Sequence, residues 1–132
     1  MRPRAILAVA LLLLGACGGD GDDAGDAAAF CNRLDRLSRN DPFLAFGDQA
    51  TADEIEVAFE ALIERADELV EVAPPEPRAA ARELAESARA LDEVLAEADY
   101  DGTKADARTY REHQVAYTEA AQRLERYLEA EC

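Results

Sequence analysis

The feature that most constrains the fold is the spacing of apolar residues, which recur every three or four positions in four separate segments. This spacing places the apolar side chains on one stripe of an α-helix. No segment shows the apolar and polar alternation of a half-buried β-strand. The predicted stripes are Phe30, Leu34 and Leu37; Ile55, Phe59, Leu62, Ile63, Ala66, Leu69 and Val70; Leu84, Leu91, Val94 and Leu95; and Tyr110, Tyr117, Ala121, Leu124 and Leu128. The sequence therefore predicts an all-α protein.

Capping residues set the bounds of the first two helices. The first is expected to run from Ala27 to Arg39, with Asp26 as its N-cap. The second begins at a capping box, in which the side chains of Thr51 and Glu54 each accept a hydrogen bond from the backbone amide of the other residue. It is expected to continue to about residue 72.

Proline and turn residues bound the other two helices. Three prolines at 74, 75 and 77 end the second helix and begin the third, which we expect from about Glu76 to Ala98. The turn Tyr100-Asp101-Gly102 precedes a fourth helix, expected from Thr103 to about Glu131 with Asp106 in its first turn. Four helices with short connections predict an up-down-up-down four-helix bundle.

The first 17 residues carry the pattern of a lipoprotein signal. Arg2 and Arg4 precede ten apolar residues, 5–14, which matches a secretory signal and is too short to span a bilayer. The quartet Leu14-Gly15-Ala16-Cys17 resembles the lipobox of bacterial lipoproteins. This resemblance implies cleavage before Cys17, a diacylglycerol thioether on its sulfur and acylation of its amino group. The mature protein would then be anchored on the extracytoplasmic face of the cell membrane.

The residues after the lipobox predict a linker. Residues 18–26 contain only Gly, Asp and Ala, so they cannot contribute to a core and are expected to form a flexible acidic tether. The predicted organisation is a lipoprotein signal peptide at 1–16, a lipidated cysteine and tether at 17–26, and a helical domain at 27–132.

Once the lipobox resemblance assigns Cys17 to lipid, Cys31 and Cys132 remain as a pair. In an oxidising compartment such a pair is expected to form a disulfide. Four antiparallel helices place the start of the first beside the end of the fourth, whereas three helices would separate these cysteines by about 30 Å, beyond the roughly 7 Å that a disulfide spans. A redox or metal pair is the alternative, but the chain has no Cys-x-x-Cys motif.

Charge limits the partners. The chain has 29 acidic residues against 14 basic ones, and loss of Arg2 and Arg4 with the signal changes the net charge from −15 to −17. Nucleic acid is excluded as a partner because phosphate binding requires a basic surface. An anionic bilayer would also repel the domain, so attachment to the membrane is expected through the acyl chains on Cys17.

The sequence as a whole combines an anchor, an acidic tether, Phe30-Cys31 opening a helix and residues 127–132 closing the chain at a cysteine. This pattern resembles the small helical lipoproteins of high-GC Gram-positive bacteria. The resemblance implies the fold and the location but supplies no catalytic residue.

Few residues could support catalysis or a cofactor. His113 is the only histidine, and Tyr110 stands three residues before it, where a ferritin-like di-iron motif requires Glu. The mature chain has only Ser38 and Ser87 as serines and no methionine, which argues against a nucleophilic hydrolase and a thioether copper site. We expect no cofactor and an exposed His113, with a ligand or pH-sensing role as the alternative.

One segment resembles the start of a calcium loop. Glu97, Asp99 and Asp101 alternate before Gly102, but the twelfth position is Arg108, where such a loop requires a bidentate Glu. A plain turn between helices is the favoured interpretation, and a weak calcium site at these three acids is the alternative.

Three tyrosines of the fourth helix, Tyr110, Tyr117 and Tyr127, are spaced by seven and ten residues and can line one side of it. Packing in and around the core is the usual explanation for such a stripe. The alternative is an aromatic recognition surface, since tyrosine is enriched at protein interfaces.

These observations favour a non-enzymatic binding or interaction module of the cell envelope, with an envelope protein as its expected partner. The alternative is a helical lipoprotein that binds a small ligand or Ca²⁺ in its interior or on its acidic surface. An enzyme that uses only carboxylates is the third interpretation, and no acidic pair in the sequence favours it.

Overall fold

The computed structural model of the protein describes residues 25–41 and 50–132. The predicted signal peptide, Cys17 and most of the predicted tether lie outside the described residues. The described parts of the chain form four helices and contain no strand: α1 (Ala27–Arg39), α2 (Ala52–Val72), α3 (Pro75–Ala96) and α4 (Ala107–Glu131). The all-α prediction is confirmed.

The first two helices begin at their predicted caps. The carboxylate of Asp26 accepts a hydrogen bond from the Ala29 amide at 2.9 Å. In the capping box, the Glu54 amide donates to the Thr51 hydroxyl at 3.3 Å and the Thr51 amide donates to the Glu54 carboxylate at 2.8 Å. The hydrogen bonds from Thr51 hold the pKa of Glu54 below its usual value.

The third helix ends two residues earlier than predicted, at Ala96. Asp99 and Tyr100 have φ angles of 53° and 55°, which place both in the left-handed region and prevent continuation of the helix. The Tyr100 amide donates to the Leu95 carbonyl at 2.8 Å and closes the helix end. The Tyr100 hydroxyl also donates to Asp92 at 2.9 Å. Burial and this hydrogen bond raise the pKa of Tyr100 to about 12.

The fourth helix begins at Ala107, four residues after the predicted start. Asp101 accepts hydrogen bonds from the amide and hydroxyl of Thr103 at 3.0 and 2.6 Å, which hold this segment as a turn. Asp106 is the N-cap rather than a first-turn residue, because its carboxylate accepts from the Thr109 amide at 2.7 Å. The hydrogen bonds from Thr109 lower the pKa of Asp106.

The helices enclose one apolar core. Helix α1 packs against α2 and α4, and α3 packs against the same two helices. This arrangement makes the domain a helical bundle, as predicted. The largest fully buried side chains are Phe30, Phe59, Leu62, Leu69, Leu84, Leu91 and Leu124, all of them on the predicted stripes. Small side chains on α3 allow the neighbouring helices to approach it closely: Ala80, Ala81, Ala85 and Ala88 are all buried.

Among the described residues, none of the helices has the length and apolar character needed to cross a membrane.

Candidate functional site

A disulfide joins the start of α1 to the end of α4. The Cα atoms of Cys31 and Cys132 lie 5.7 Å apart, although 101 residues separate them in the sequence. The predicted disulfide is therefore confirmed. Beside it, the rings of Phe30 and Tyr127 pack edge to face with their centroids 5.5 Å apart. These two contacts hold α1 and α4 close together at this position.

The chain enters α1 against the turn between α2 and α3. The Asp26 amide donates to the Val72 carbonyl at 2.9 Å. Gly25 has a φ of +71°, and a Cβ at this position would lie 2.5 Å from the Ala73 carbonyl oxygen. Only glycine permits this approach and this backbone conformation without strain. The last two residues of the predicted tether, 25 and 26, therefore belong to the folded domain.

Two arginines add further contacts here. The guanidinium of Arg33 donates to the Glu68 carbonyl at 2.6 Å. Arg78 donates twice to the Ala73 carbonyl, at 2.8 and 3.1 Å, and so satisfies the C-terminal end of α2. We call the region formed by residues 25–33, 68–78 and 127–132 the disulfide end.

Away from the disulfide, α1 and α4 border a depression of about 340 Å³ that is partly open to solvent, which we call the α1–α4 cleft. Its walls come mainly from these two helices, and Leu84 of α3 contributes to them. Its apolar lining is Leu34, Leu37, Leu84, Tyr117, Ala121, Leu124 and Leu128. Its polar lining is Ser38, Asp41, Gln114, Thr118, Gln122 and Glu125.

The two hydroxyl side chains in the cleft are engaged by their own helices. Ser38 donates to the Asp35 carbonyl at 2.9 Å, and Thr118 donates to the Gln114 carbonyl at 2.8 Å. Within residues 25–41 and 50–132 both hydroxyls are therefore bonded to backbone carbonyls and not to a general base, as an activated nucleophile would be. The amides of Gln114 and Gln122 and the carboxylates of Asp41 and Glu125 are the other polar groups of the lining.

Tyr117 is the largest side chain of the cleft and is only 5% exposed. Burial, with a smaller contribution from the Asp41 carboxylate, raises the pKa of Tyr117 above its ordinary value. The phenol therefore stays protonated at neutral pH. It offers the cleft a neutral aromatic ring, not a titrating group.

The three tyrosines of α4 do not share an exposed surface. Tyr117 is buried, Tyr110 is half-buried, and Tyr127 packs against Phe30. Burial raises the pKa of Tyr110, and burial with the nearby Glu131 raises that of Tyr127. Packing in and around the core describes this arrangement, and Tyr117 also lines the α1–α4 cleft.

The candidate calcium ligands lie in the segment between α3 and α4 but are not gathered into a site. Asp101 accepts from Thr103 and forms an ion pair with Lys104 at 2.9 Å. These interactions lower the pKa of Asp101 to about 2. Glu97 and Asp99 are exposed. Across residues 25–41 and 50–132, no three Asp, Glu, His or Cys side chains converge as metal ligands.

His113, the only histidine of the chain, is half-buried on α4 and not exposed as expected, and it is not part of the lining of the α1–α4 cleft. The sequence does not predict the cleft, because its apolar residues lie on the same stripes as the core. One signal points towards it: α1 has 13 residues and α4 has 25, so α1 can cover only part of its neighbour.

Comparisons with protein-family models, with curated proteins and with solved structures give no match for this chain. The α1–α4 cleft is therefore a candidate site on the geometry and chemistry of its own residues.

Proposed function

We propose that this protein is a lipid-anchored, extracytoplasmic binding module that acts on an envelope protein partner without catalysis. Cys17 carries the diacylglycerol and acyl chains, and the helical domain provides the binding surface. The observation that carries this proposal is the disulfide between Cys31 and Cys132. Disulfides persist in oxidising compartments outside the cytoplasm, which is where a lipobox would deliver the chain.

We also propose an up-down-up-down path for the four helices. Two contacts place the start of α1 beside the end of α2 and the end of α4: Asp26 with Val72, and Cys31 with Cys132. Residues from the start of α3 and the end of α4, among them Pro77 and Ala130, line one surface depression. Each pair of neighbouring helices that these contacts join would then run in opposite directions.

The position of the anchor favours one orientation at the membrane. Cys17 lies eight residues before Gly25, where the chain enters the disulfide end. A flexible chain of this length spans about 14–17 Å on average. The disulfide end would therefore lie close to the bilayer, and the opposite end of the bundle would point away from it. The net charge of −17 that remains after loss of Arg2 and Arg4 opposes adsorption to anionic lipid, so the acyl chains would hold the protein in place.

The intact mass of the membrane-extracted protein tests the anchor and its compartment. We expect the mass of diacylglycerol and acyl chains on Cys17, and alkylation of Cys31 and Cys132 only after reduction. The Cys17→Ser variant is the control and should lack the lipid mass. A protein without lipid, or with free thiols at Cys31 and Cys132 before reduction, would contradict the proposal.

Crosslinking in intact cells tests the partner. We expect the wild-type protein to be recovered covalently joined to an envelope protein, and the mislocalised Cys17→Ser variant to lose this product. Recovery of only the monomer from the wild type would count against an interaction module.

A second candidate function is the binding of a small ligand, and the α1–α4 cleft favours it. Its volume of about 340 Å³ lies within the range of small-molecule sites, roughly 300–1,000 Å³. Calcium is the other ligand that the acidic composition suggests. Thermal unfolding with and without calcium tests it, because a ligand that binds only the folded protein raises the midpoint. An unchanged midpoint at millimolar calcium would remove calcium as a ligand.

A further inference from the structure

We propose that the α1–α4 cleft binds a small amphiphile that has an apolar body and a cationic head group. This inference rests on the second candidate function, small-ligand binding, and names its ligand class. It does not depend on the lipid anchor or on a protein partner.

The interior of the cleft suits the apolar body of such a molecule. Leu128 is half-buried and presents apolar surface to the cleft. Leu84 and Leu124, at 2% and 1% exposure, add a smaller apolar area. Leu37 and the ring of Tyr117 add to the same lining. Burying an apolar chain here would contribute about 0.8 kcal/mol per CH₂ group.

The charges of the lining favour a cationic head group. Asp41 and Glu125 are the charged residues of the described lining, which contains no Lys or Arg. Glu125 is exposed, and Asp41 is half-buried at the end of α1. A cationic head group beside these carboxylates is attracted, whereas an anionic one is repelled. The net charge of −15 on the chain acts in the same direction.

The remaining polar groups also fit this ligand class. Because Ser38 and Thr118 donate to their own helix backbones, they do not provide free donors for an anion. Tyr117 contributes an aromatic ring to the lining, and aromatic rings attract cations. A carboxylate ligand would therefore meet like charge in the cleft, where the other side-chain donors of the described lining are the amides of Gln114 and Gln122.

Binding of simple amphiphiles to the full chain tests the inference. The Cys17→Ser chain, purified with its disulfide formed, is titrated with decyltrimethylammonium, decanoate and decanol below their micelle or solubility limits. We expect saturable binding of one decyltrimethylammonium per chain, at least about tenfold tighter than decanoate. Such a ratio corresponds to about 1.4 kcal/mol between the two head groups.

Substitutions then locate the site. Ala121→Trp should fill the cleft and abolish binding. Since a large ring at half-buried Ala121 can cost stability, Gln122→Trp at an exposed rim position is the second blocking variant. Glu125→Gln should weaken the cation severalfold and leave decanol unchanged. Glu86→Gln, the same change at an exposed position of α3 outside the lining, is the matched control and should bind like the parent.

The outcomes separate the inference from the function on which it rests. If decanol binds as well as the cation and Ala121→Trp blocks both, the ligand class is wrong but the small-ligand function stands. If none of the three probes binds, the inference and the small-ligand function both fail. Occupation of the cleft by another part of the chain or by a second copy of the protein would give this result. Binding that neither blocking variant reduces lies elsewhere on the protein and also overturns the inference.

Discussion

The disulfide end and the α3–α4 loop, residues 97–106, both join helices, but they are held by different kinds of contact. At the disulfide end the partners are distant in sequence. The Cys31–Cys132 bridge spans 101 residues, and the hydrogen bond from Arg33 to the Glu68 carbonyl spans 35. Forming such contacts requires most of the chain to be in place, because each one closes a long loop.

The α3–α4 loop is held mainly by its own residues. Asp101 accepts from Thr103 and pairs with Lys104, and Asp106 accepts from the Thr109 amide, so each of these contacts spans two or three residues. Contacts of this kind can form without the rest of the bundle. The comparison therefore indicates that the stability of the whole domain depends more on the disulfide end than on the loop.

The largest effect should come from the core side chain at the disulfide end. Phe30 is fully buried and its ring packs against Tyr127, so Phe30→Ala should lower the free energy of unfolding by about 3–5 kcal/mol. Urea unfolding of the oxidised protein measures this. Val57→Ala is the control, since Val57 is 63% exposed and should change stability by no more than about 0.5 kcal/mol. A loss below about 1 kcal/mol for Phe30→Ala would contradict the importance given to this end.

Removal of the disulfide should have the next largest effect. The Cys31→Ser, Cys132→Ser double variant should lose about 2–5 kcal/mol, because the open chain regains the conformational freedom of a loop of about 100 residues. Urea unfolding with and without reductant measures the loss. Reduction should destabilise the parent to a similar extent and leave the double variant unchanged. Equal stability of the oxidised and reduced parent would show that this bridge does not secure the bundle.

A pair of glycines compares the two regions directly. Gly25→Ala should destabilise the domain by about 1–3 kcal/mol, because Gly25 has a left-handed backbone and a Cβ there would collide with the Ala73 carbonyl. Gly102→Ala, in the α3–α4 loop, is the matched change. A Cβ at Gly102 meets nothing within 4 Å, and its φ is not positive, so this variant should be neutral or about 0.4–1 kcal/mol more stable. Thermal unfolding measures both variants. An equal loss of stability from Gly25→Ala and Gly102→Ala would contradict the difference between the disulfide end and the α3–α4 loop.

The smallest effect should be a pH dependence in the α3–α4 loop. The folded protein holds the pKa of Asp101 at about 2, below an unfolded value of about 3.9, chiefly through hydrogen bonds from Thr103 and Lys104. A depressed carboxyl pKa stabilises the folded state above the unfolded pKa, and this contribution is lost as the pH falls towards 2. Asp101→Asn keeps an oxygen for Thr103 but removes the charge. Its unfolding midpoint should therefore lie below that of the parent at pH 5 and approach it at pH 2.5.

Glu86→Gln, at an exposed position on α3, is the control for this titration. The difference in unfolding midpoint between Glu86→Gln and the parent should not shrink in this way between pH 5 and pH 2.5. If the difference in unfolding midpoint between Asp101→Asn and the parent stays constant from pH 5 to pH 2.5, the charge of Asp101 does not stabilise the loop.

The parts of the fold that the sequence predicts are those with a local or a covalent signal. Asp26 and the Thr51–Glu54 pair form capping hydrogen bonds with residues three positions away in the sequence, so their roles follow from the sequence alone. The cysteine pair is also predictable, because the lipobox resemblance leaves only two cysteines and a disulfide tolerates only a short distance. The lipid on Cys17 lies outside the described residues and remains a prediction.

The parts that the sequence does not predict depend on how distant segments meet. By composition Gly25 belongs with the tether, and only its contact with Ala73 shows that it is part of the folded domain. The start of α4 depends on whether Asp106 caps the helix or lies in its first turn, and an aspartate suits both positions by type. The α1–α4 cleft depends on the separation of two helices, which the spacing of Leu34, Leu37 and their neighbours does not encode.

The bridge between Cys31 and Cys132 also changes what proteolysis can do to this protein. Hydrolysis of one peptide bond anywhere between these residues leaves two chains that remain covalently joined through their sulfur atoms. On a gel, a singly nicked protein would separate into fragments only after reduction. A protease can therefore cut a connection between two helices without releasing the C-terminal fragment from the N-terminal one.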